Sequence, residues 1–179
     1  PGRAGRIAAA RGAFLDRIDA FDATFFGIAP READLMDPQQ RLLLECAWHA
    51  FEDAGVAVDQ LRDVPVGVFV GISTVDYAYH LVEHVPADAV TGHCGTGTAH
   101  AVAAGRVSYC LDLTGPSVAL DTACSSSLVA LHLACQSLRQ GECDYALVAG
   151  VNAMLSPLTA LADVTLTTSD AITRPGTTW

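Results

Sequence analysis

Apolar positions along the chain follow two periods. Leu42, Leu43, Ala47, Ala50, Phe51 and Ala54 recur at helical spacing. Asp37 suits the N-cap of that helix, Pro38 its first position, and Gly55 a left-handed stop. Residues 66–72, V-G-V-F-V-G-I, lack polar alternation and predict a strand buried on both faces. Residues 99–109 predict a helix rich in small residues and therefore closely packed. Leu113-Thr114-Gly115-Pro116 is a turn signal. A short strand over 117–121 follows. Next comes a helix over 124–140 with Leu128, Leu131, Cys135 and Leu138 on one face, closed by Gly141. Residues 145–151 predict another buried strand. Phe14, Phe21, Phe25 and Phe26, interleaved with Asp16, Asp19 and Asp22, fit short helical turns on a larger body. Residues 1–13 read as a loop or arm, and residues 80–97 show no clear period. Helices alternating with apolar strands imply a layered α/β fold. There is no internal repeat and no internal linker.

Composition narrows the function. The chain has 179 residues, 51% of them apolar, enough for a core and unlike a disordered segment. The net charge of -10 argues against a nucleic acid or an anionic membrane as partner. No apolar run reaches transmembrane length. All ten basic residues are arginines, so neither a lysine Schiff base nor a P-loop lysine can be built from this sequence. Cys46, Cys94, Cys110, Cys124, Cys135 and Cys143 form no C-x-x-C, and most lie in apolar helix- or strand-like segments. They read as reduced thiols of a cytoplasmic protein. The start, Pro1-Gly2-Arg3-Ala4-Gly5-Arg6, has no initiator Met and no apolar targeting core, and resembles the middle of a longer chain.

The sharpest chemical feature is Val118-Ala119-Leu120-Asp121-Thr122-Ala123-Cys124-Ser125-Ser126-Ser127-Leu128. A strand ends, the chain turns, and a helix starts at a cysteine. Free N–H groups and the dipole of a helix N-terminus favour a thiolate there. Three small serines leave the thiol approachable, as in a nucleophile elbow with sulfur in place of oxygen. Backbone N–H groups of the turn can serve a tetrahedral oxyanion. The residues alone equally admit an inert buried cysteine capped by serines.

The stretch Asp121 to His132, D-T-A-C-S-S-S-L-V-A-L-H, resembles the active-site segment of β-ketoacyl synthase domains in polyketide synthases. F-F-G-I-A-P-R-E-A from Phe25, M-D-P-Q-Q-R-L-L-L-E from Met36, A-G-R-V-S-Y from Ala104 and G-E-C-D-Y-A-L from Gly141 extend the likeness from about Gly12 to Pro157. The resemblance implies a thiolase-like layered αβαβα fold, of which only the first, nucleophile-bearing half is largely present. Residues 1–157 would be a partial N-terminal domain and 158–179 a divergent tail. It implies Cys124 as acyl-thioester nucleophile, with its own backbone N–H as one oxyanion donor. It implies no directly bound cofactor, with substrates carried on the phosphopantetheine of an acyl carrier protein. It implies a reaction in which a malonyl-type extender loses carbon dioxide and attacks the acyl thioester. A homodimer is the implied assembly, with segments near the cysteine helix at its interface.

The family's second half carries two catalytic histidines, one in an H-G-T-G-T-like segment, and a lysine. None of these matches here. His93 with Thr96-Gly97-Thr98 is only superficially similar and precedes the cysteine. His49 stands where the family usually has an acid. His80, His84, His93 and Cys94 could be assembled into a zinc site, but their spacing fits no named one, and a polar loop is the plainer reading. Gly67, Gly71, Gly92, Gly95 and Gly97 form no dinucleotide fingerprint and read as close backbone packing. Arg106 reads as a structural ion-pair partner. Two functions follow: an acyltransferase piece of a β-ketoacyl synthase, or a catalytically incomplete remnant serving as a dimerisation or interaction module.

Overall fold

The computed structural model describes residues 12, 14–157 and 159. The elements in chain order are α1 (Pro30–Leu35), α2 (Pro38–Asp53), β1 (Val66–Ile72), α3 (Asp76–His84), α4 (Gly92–Thr98), α5 (His100–Cys110), β2 (Ser117–Leu120), α6 (Ser126–Gln140) and β3 (Tyr145–Val151). The strands form one parallel sheet in the order β2-β1-β3. Val68 pairs with Ser117 on one side of β1 and with Leu147 on the other. Long crossovers between parallel strands put helices on both faces.

β1 is buried along its whole length, which explains its missing alternation. The period of two is nevertheless present. Val66, Val68, Val70 and Ile72 join a core with Leu43, Leu44, Ala47 and Phe51 of α2 and Ala103, Ala104 and Val107 of α5. Phe69 joins the opposite core with Ala130 and Ala134 of α6. The result is a three-layer arrangement with α2 and α5 on one side of the sheet and α6 on the other.

The caps of α2 are those expected. The Asp37 carboxylate accepts the Gln39 N–H at 2.8 Å, and Gly55 is left-handed at φ 68°. Gly141 closes α6 at φ 71°. Several expectations are revised. A short helix, α1, precedes α2, and α4 occupies part of the region without a period. His80 and His84 lie on α3, not in a loop. The aromatic stretch makes one hydrogen-bonded turn, where the Gly27 and Ile28 N–H groups reach the Thr24 and Ala23 carbonyls. There Phe25 packs edge-on against Phe26 and Trp48. α6 begins at Ser126, two residues later than its pattern predicts. Its leucine face is the exposed one, with Leu128 at 70%. Ser126, Ala130, Ala134 and Ser137 face the sheet instead, because only small side chains fit the close approach described below. The tail at 158–179 lies, but for Thr159, outside the described residues.

Asp37 generates a stability prediction. Replacing it with Ala removes the cap and should cost about 1 kcal/mol, read as a lower denaturation midpoint. Burial is the main influence on its carboxyl and pushes its pKa up, against the bonds from Gln39. The stabilising increment linked to a raised pKa is complete below the unfolded-state value and disappears as pH rises through the folded one. Asp37→Asn keeps an acceptor for the Gln39 N–H but cannot ionise. Its stability relative to wild type should therefore rise with pH across the carboxylate range. A pH-independent difference in urea titrations would contradict this.

Candidate active site

The chain leaves β2 at Leu120 and enters α6 at Ser126, and the five residues between carry the cysteine. Ala123 is left-handed at φ 54°, a conformation that L-residues other than glycine rarely adopt. Local bonds surround it. Its N–H donates to Asp121 Oδ1 at 2.8 Å, an Asx-type turn. Its carbonyl accepts the Ser126 hydroxyl at 2.7 Å, and that hydroxyl oxygen accepts the Thr122 N–H at 2.9 Å. Ser125 Oγ donates to the Thr122 carbonyl at 2.8 Å. Asp121 Oδ1 also accepts the Ser73 hydroxyl at 2.6 Å, from the residue that follows β1. Those two bonds hold its carboxyl below the usual carboxylate range, Ser73 contributing most. Cys124 is exposed and stands one residue before the N-cap, Ser125. It thus lies just outside the first turn of α6, not within it.

Two glycines set how closely α6 meets the sheet. A Cβ on Gly71 of β1 would fall 2.7 Å from the Ser126 carbonyl carbon and 2.8 Å from the Ser127 nitrogen. One on Gly150 of β3 would fall 2.7 Å from Ser127 Cβ. The start of α6 is therefore seated directly on the ends of two strands, and Cys124 is carried at their C-terminal edge.

The same edge is braced from behind. Gln39 donates to the Thr74 carbonyl at 3.1 Å, and its Oε1 accepts the Thr74 hydroxyl at 3.0 Å and the Ala153 N–H at 3.1 Å. It thereby joins the segments that follow β1 and β3. Gln40 Nε2 reaches the Thr96 and Ala99 carbonyls, and its Oε1 accepts Arg106 Nε at 2.8 Å. Arg106 completes its ion pair on Glu32 at 2.5 Å, as expected for a structural cation. The backbone of α4 at Gly97 lies against Leu35, where a Cβ would collide with the Leu35 carbonyl oxygen. Close packing is thus the role of Gly67, Gly71 and Gly97, whereas Gly92 and Gly95 face open space.

The histidines are dispersed. His80 and His84 stack at 4.3 Å, and His84 Nδ1 lies 2.8 Å from the His80 carbonyl oxygen. His93 faces Glu32 at 3.8 Å, and His100 Nε2 lies 2.9 Å from the Thr74 carbonyl oxygen. His49 and His132 are exposed. Among the described residues, no three His, Cys, Asp or Glu side chains converge on a metal-sized site. A cavity of about 420 Å³ is lined by Arg31, Thr91, Gly92, His93 and Thr96. Another, of about 430 Å³, lies beside Trp48 and Val58. Neither includes a residue of the cysteine turn. Ser73 carries no signal in the sequence, and Asp121 and Ser126 stand there only as members of the cysteine motif, although Asp at two residues before Ala123 is an Asx-turn signal.

The glycine seats give a paired prediction. Gly71→Ala must push the start of α6 off the sheet and should destabilise by about 1–3 kcal/mol. Gly95→Ala, in a helix with open space around the new methyl, should instead be neutral or stabilise by up to about 1 kcal/mol. Thermal or urea unfolding of the two variants checks both signs.

Comparison with known proteins places the fold. The family model "Beta-ketoacyl synthase, N-terminal domain" matches residues 1–171. Over 162 residues the chain is 54% identical to a phenolphthiocerol/phthiocerol polyketide synthase of Mycobacterium tuberculosis, covering 90% of this chain and 9% of that protein. It is 55% identical to the 6-methylsalicylic acid synthase of Aspergillus niger over 155 residues, covering 86% of this chain and 9% of that one. Among solved structures, the oxazolomycin ketosynthase domain of Streptomyces albus aligns with TM-score 0.74 and 43% identity over 84% of this chain and 26% of its own. The ketosynthase from module 6 of the Bacillus subtilis bacillaene synthase aligns with TM-score 0.74 and 42% identity, over 86% and 25%. The chain therefore spans about a quarter of the solved ketosynthase chains. The parallel sheet between helical layers is that of the thiolase-like fold, and the chain belongs to the β-ketoacyl synthase family, as a relative of polyketide synthase ketosynthase domains whose N-terminal domain it matches.

Proposed function

We propose that this chain supplies the acyl-accepting part of a ketosynthase and that Cys124 is its nucleophile. The observation that carries the reading is an exposed thiol beside a left-handed residue at a strand-to-helix turn, in the family match over residues 1–171. In the proposed reaction, the Cys124 thiolate attacks the carbonyl carbon of an acyl thioester held on the phosphopantetheine of a carrier protein. The carbonyl oxygen takes the negative charge, and the Cys124 backbone N–H is one donor to it. Collapse of the adduct expels the carrier thiolate and leaves the acyl group on Cys124. In the complete domain, a malonyl-type thioester then loses carbon dioxide. The carbanion attacks the acyl carbon, and the Cys124 thiolate departs.

Residues 1–157 form the domain portion in this proposal. The carrier protein is the partner, a homodimer the assembly and the cytoplasm the compartment. Among the described residues, no helix is long and apolar enough to cross a membrane.

Labelling discriminates among the thiols. Cys143 is buried, and burial pushes the thiols of Cys46 and Cys110 up. Cys124 should be alkylated fastest by iodoacetamide in the folded protein, scored by peptide mass spectrometry. Equal labelling of Cys46 or Cys135 would sink the assignment.

The division of labour gives a second outcome. Decarboxylation places charge on an enolate oxygen, and positioned donors there are worth about 3–4 kcal/mol each in comparable sites. The family's two downstream histidines do that work, and these 179 residues match neither. The polypeptide alone, given acyl- and malonyl-carrier substrates, should at most become acylated on Cys124. A β-ketoacyl product seen by mass spectrometry would overturn this division and direct attention to His100 and His132.

A further inference from the structure

Four side-chain and backbone contacts close a ring around the cysteine turn. Ser73 Oγ donates to Asp121 Oδ1 at 2.6 Å, and the same oxygen takes the Ala123 N–H at 2.8 Å. The Ala123 carbonyl takes the Ser126 hydroxyl at 2.7 Å, and Ser126 Oγ lies 3.5 Å from Ser73 Oγ, which returns the circuit to its start. Every member except Ala123 is anchored elsewhere. Ser73 follows the buried strand β1, Asp121 follows β2, and Ser126 sits against Gly71. Ala123 is the strained one, with both of its backbone polar groups inside the ring.

We infer that Ser73 and Asp121 are positioning residues: together they hold Ala123 in its left-handed conformation and thereby present the Cys124 thiol at the mouth of α6. The inference rests on the reading of Cys124 as nucleophile. Ser126 is already required as the seat of the helix. Ser73 and Asp121 have no such duty, since Asp121 is exposed and neither belongs to a core cluster. Without them, the Ala123 N–H loses its acceptor and Ala123 can relax to negative φ, which swings the following residue away from its present direction. The useful property of Asp121 here is its doubly accepting oxygen, not its charge. Asparagine can offer the same oxygen to both donors.

The test compares the iodoacetamide rate at Cys124, by peptide mass spectrometry, in the wild type, Ser73→Ala, Asp121→Ala, Ser73→Thr and Asp121→Asn. Each alanine variant should slow Cys124 about ten-fold, the factor set by the cost of an unsupported left-handed residue. Ser73→Thr and Asp121→Asn should label at the wild-type rate. Cys143, at 2% exposure, reports the fold and should stay protected throughout. If Asp121→Ala unmasks Cys143, then Ser73→Ala, which loses only one hydroxyl, decides. Wild-type labelling in the alanine variants, or an Asn variant as slow as Ala, overturns the inference. Failure of the nucleophile reading shows separately, as wild-type Cys124 labelling no faster than exposed Cys46. The variant-to-wild-type ratios at Cys124 still score the ring in that case.

Discussion

Two adjacent glutamine amides, Gln39 and Gln40, at 0% and 1% exposure, hold together the edge on which the cysteine turn stands. Gln39 fixes the segments after β1 and β3, while Gln40 and Arg106 fix the α4–α5 junction onto α2. A buried amide is costly unless its donors and acceptor are met, and here both side chains have partners at both ends. Removing Gln39 takes the partner from the Ala153 N–H and the Thr74 hydroxyl, and removing Gln40 takes a donor from the Thr96 and Ala99 carbonyls at the α4–α5 junction. The cap by Asp37, the close pass of Gly97 over Leu35 and the burial of Met36 all occur around this node.

The sheet divides its labour between faces. Toward α2 and α5 it presents branched aliphatics that fill a conventional core. Toward α6 it presents Phe69 flanked by Gly67 and Gly71, and α6 answers with Ser126, Ala130 and Ala134. α6 touches the sheet backbone closely where it begins, and the chain entering that helix has little room. The turn from β2 must complete within five residues and deliver Ser126 between two strand ends, and the left-handed Ala123 lies within that turn.

Much of this was legible in the sequence. The fully apolar run over 66–72 reads correctly because a central parallel strand is covered on both faces. The caps at Asp37, Gly55 and Gly141 read correctly because cap chemistry is local. The cysteine motif also stands out locally, although its role is a proposal. The orientation of α6 did not read correctly. Leu128, Leu131 and Leu138 form the more hydrophobic stripe, and only the glycines of two distant strands make the alanine and serine stripe the buried one. Gln39 and Gln40 look like ordinary polar residues of a first helical turn, because their partners lie 35 to 114 residues away. The link from Ser73 to Asp121 likewise spans 48 residues and leaves no local mark.

The position of β1 at the centre of the sheet also sets a timetable for synthesis. β1 is complete at Ile72, yet one neighbour begins at Ser117 and the other ends at Val151. At about 5–20 residues per second, a ribosome needs roughly 4–16 s to make the chain between Ile72 and Val151. Until β2 is made at Ser117–Leu120 V-G-V-F-V-G-I has neither edge paired, its Phe69 face stays uncovered until α6 follows, and its second edge waits for β3. Such a segment has the composition of an aggregation-prone strand. α2, already made, can shield the other face only. Slow elongation between α3 and α6 would prolong that exposure, a consequence of placing the first-made strand at the centre of the sheet.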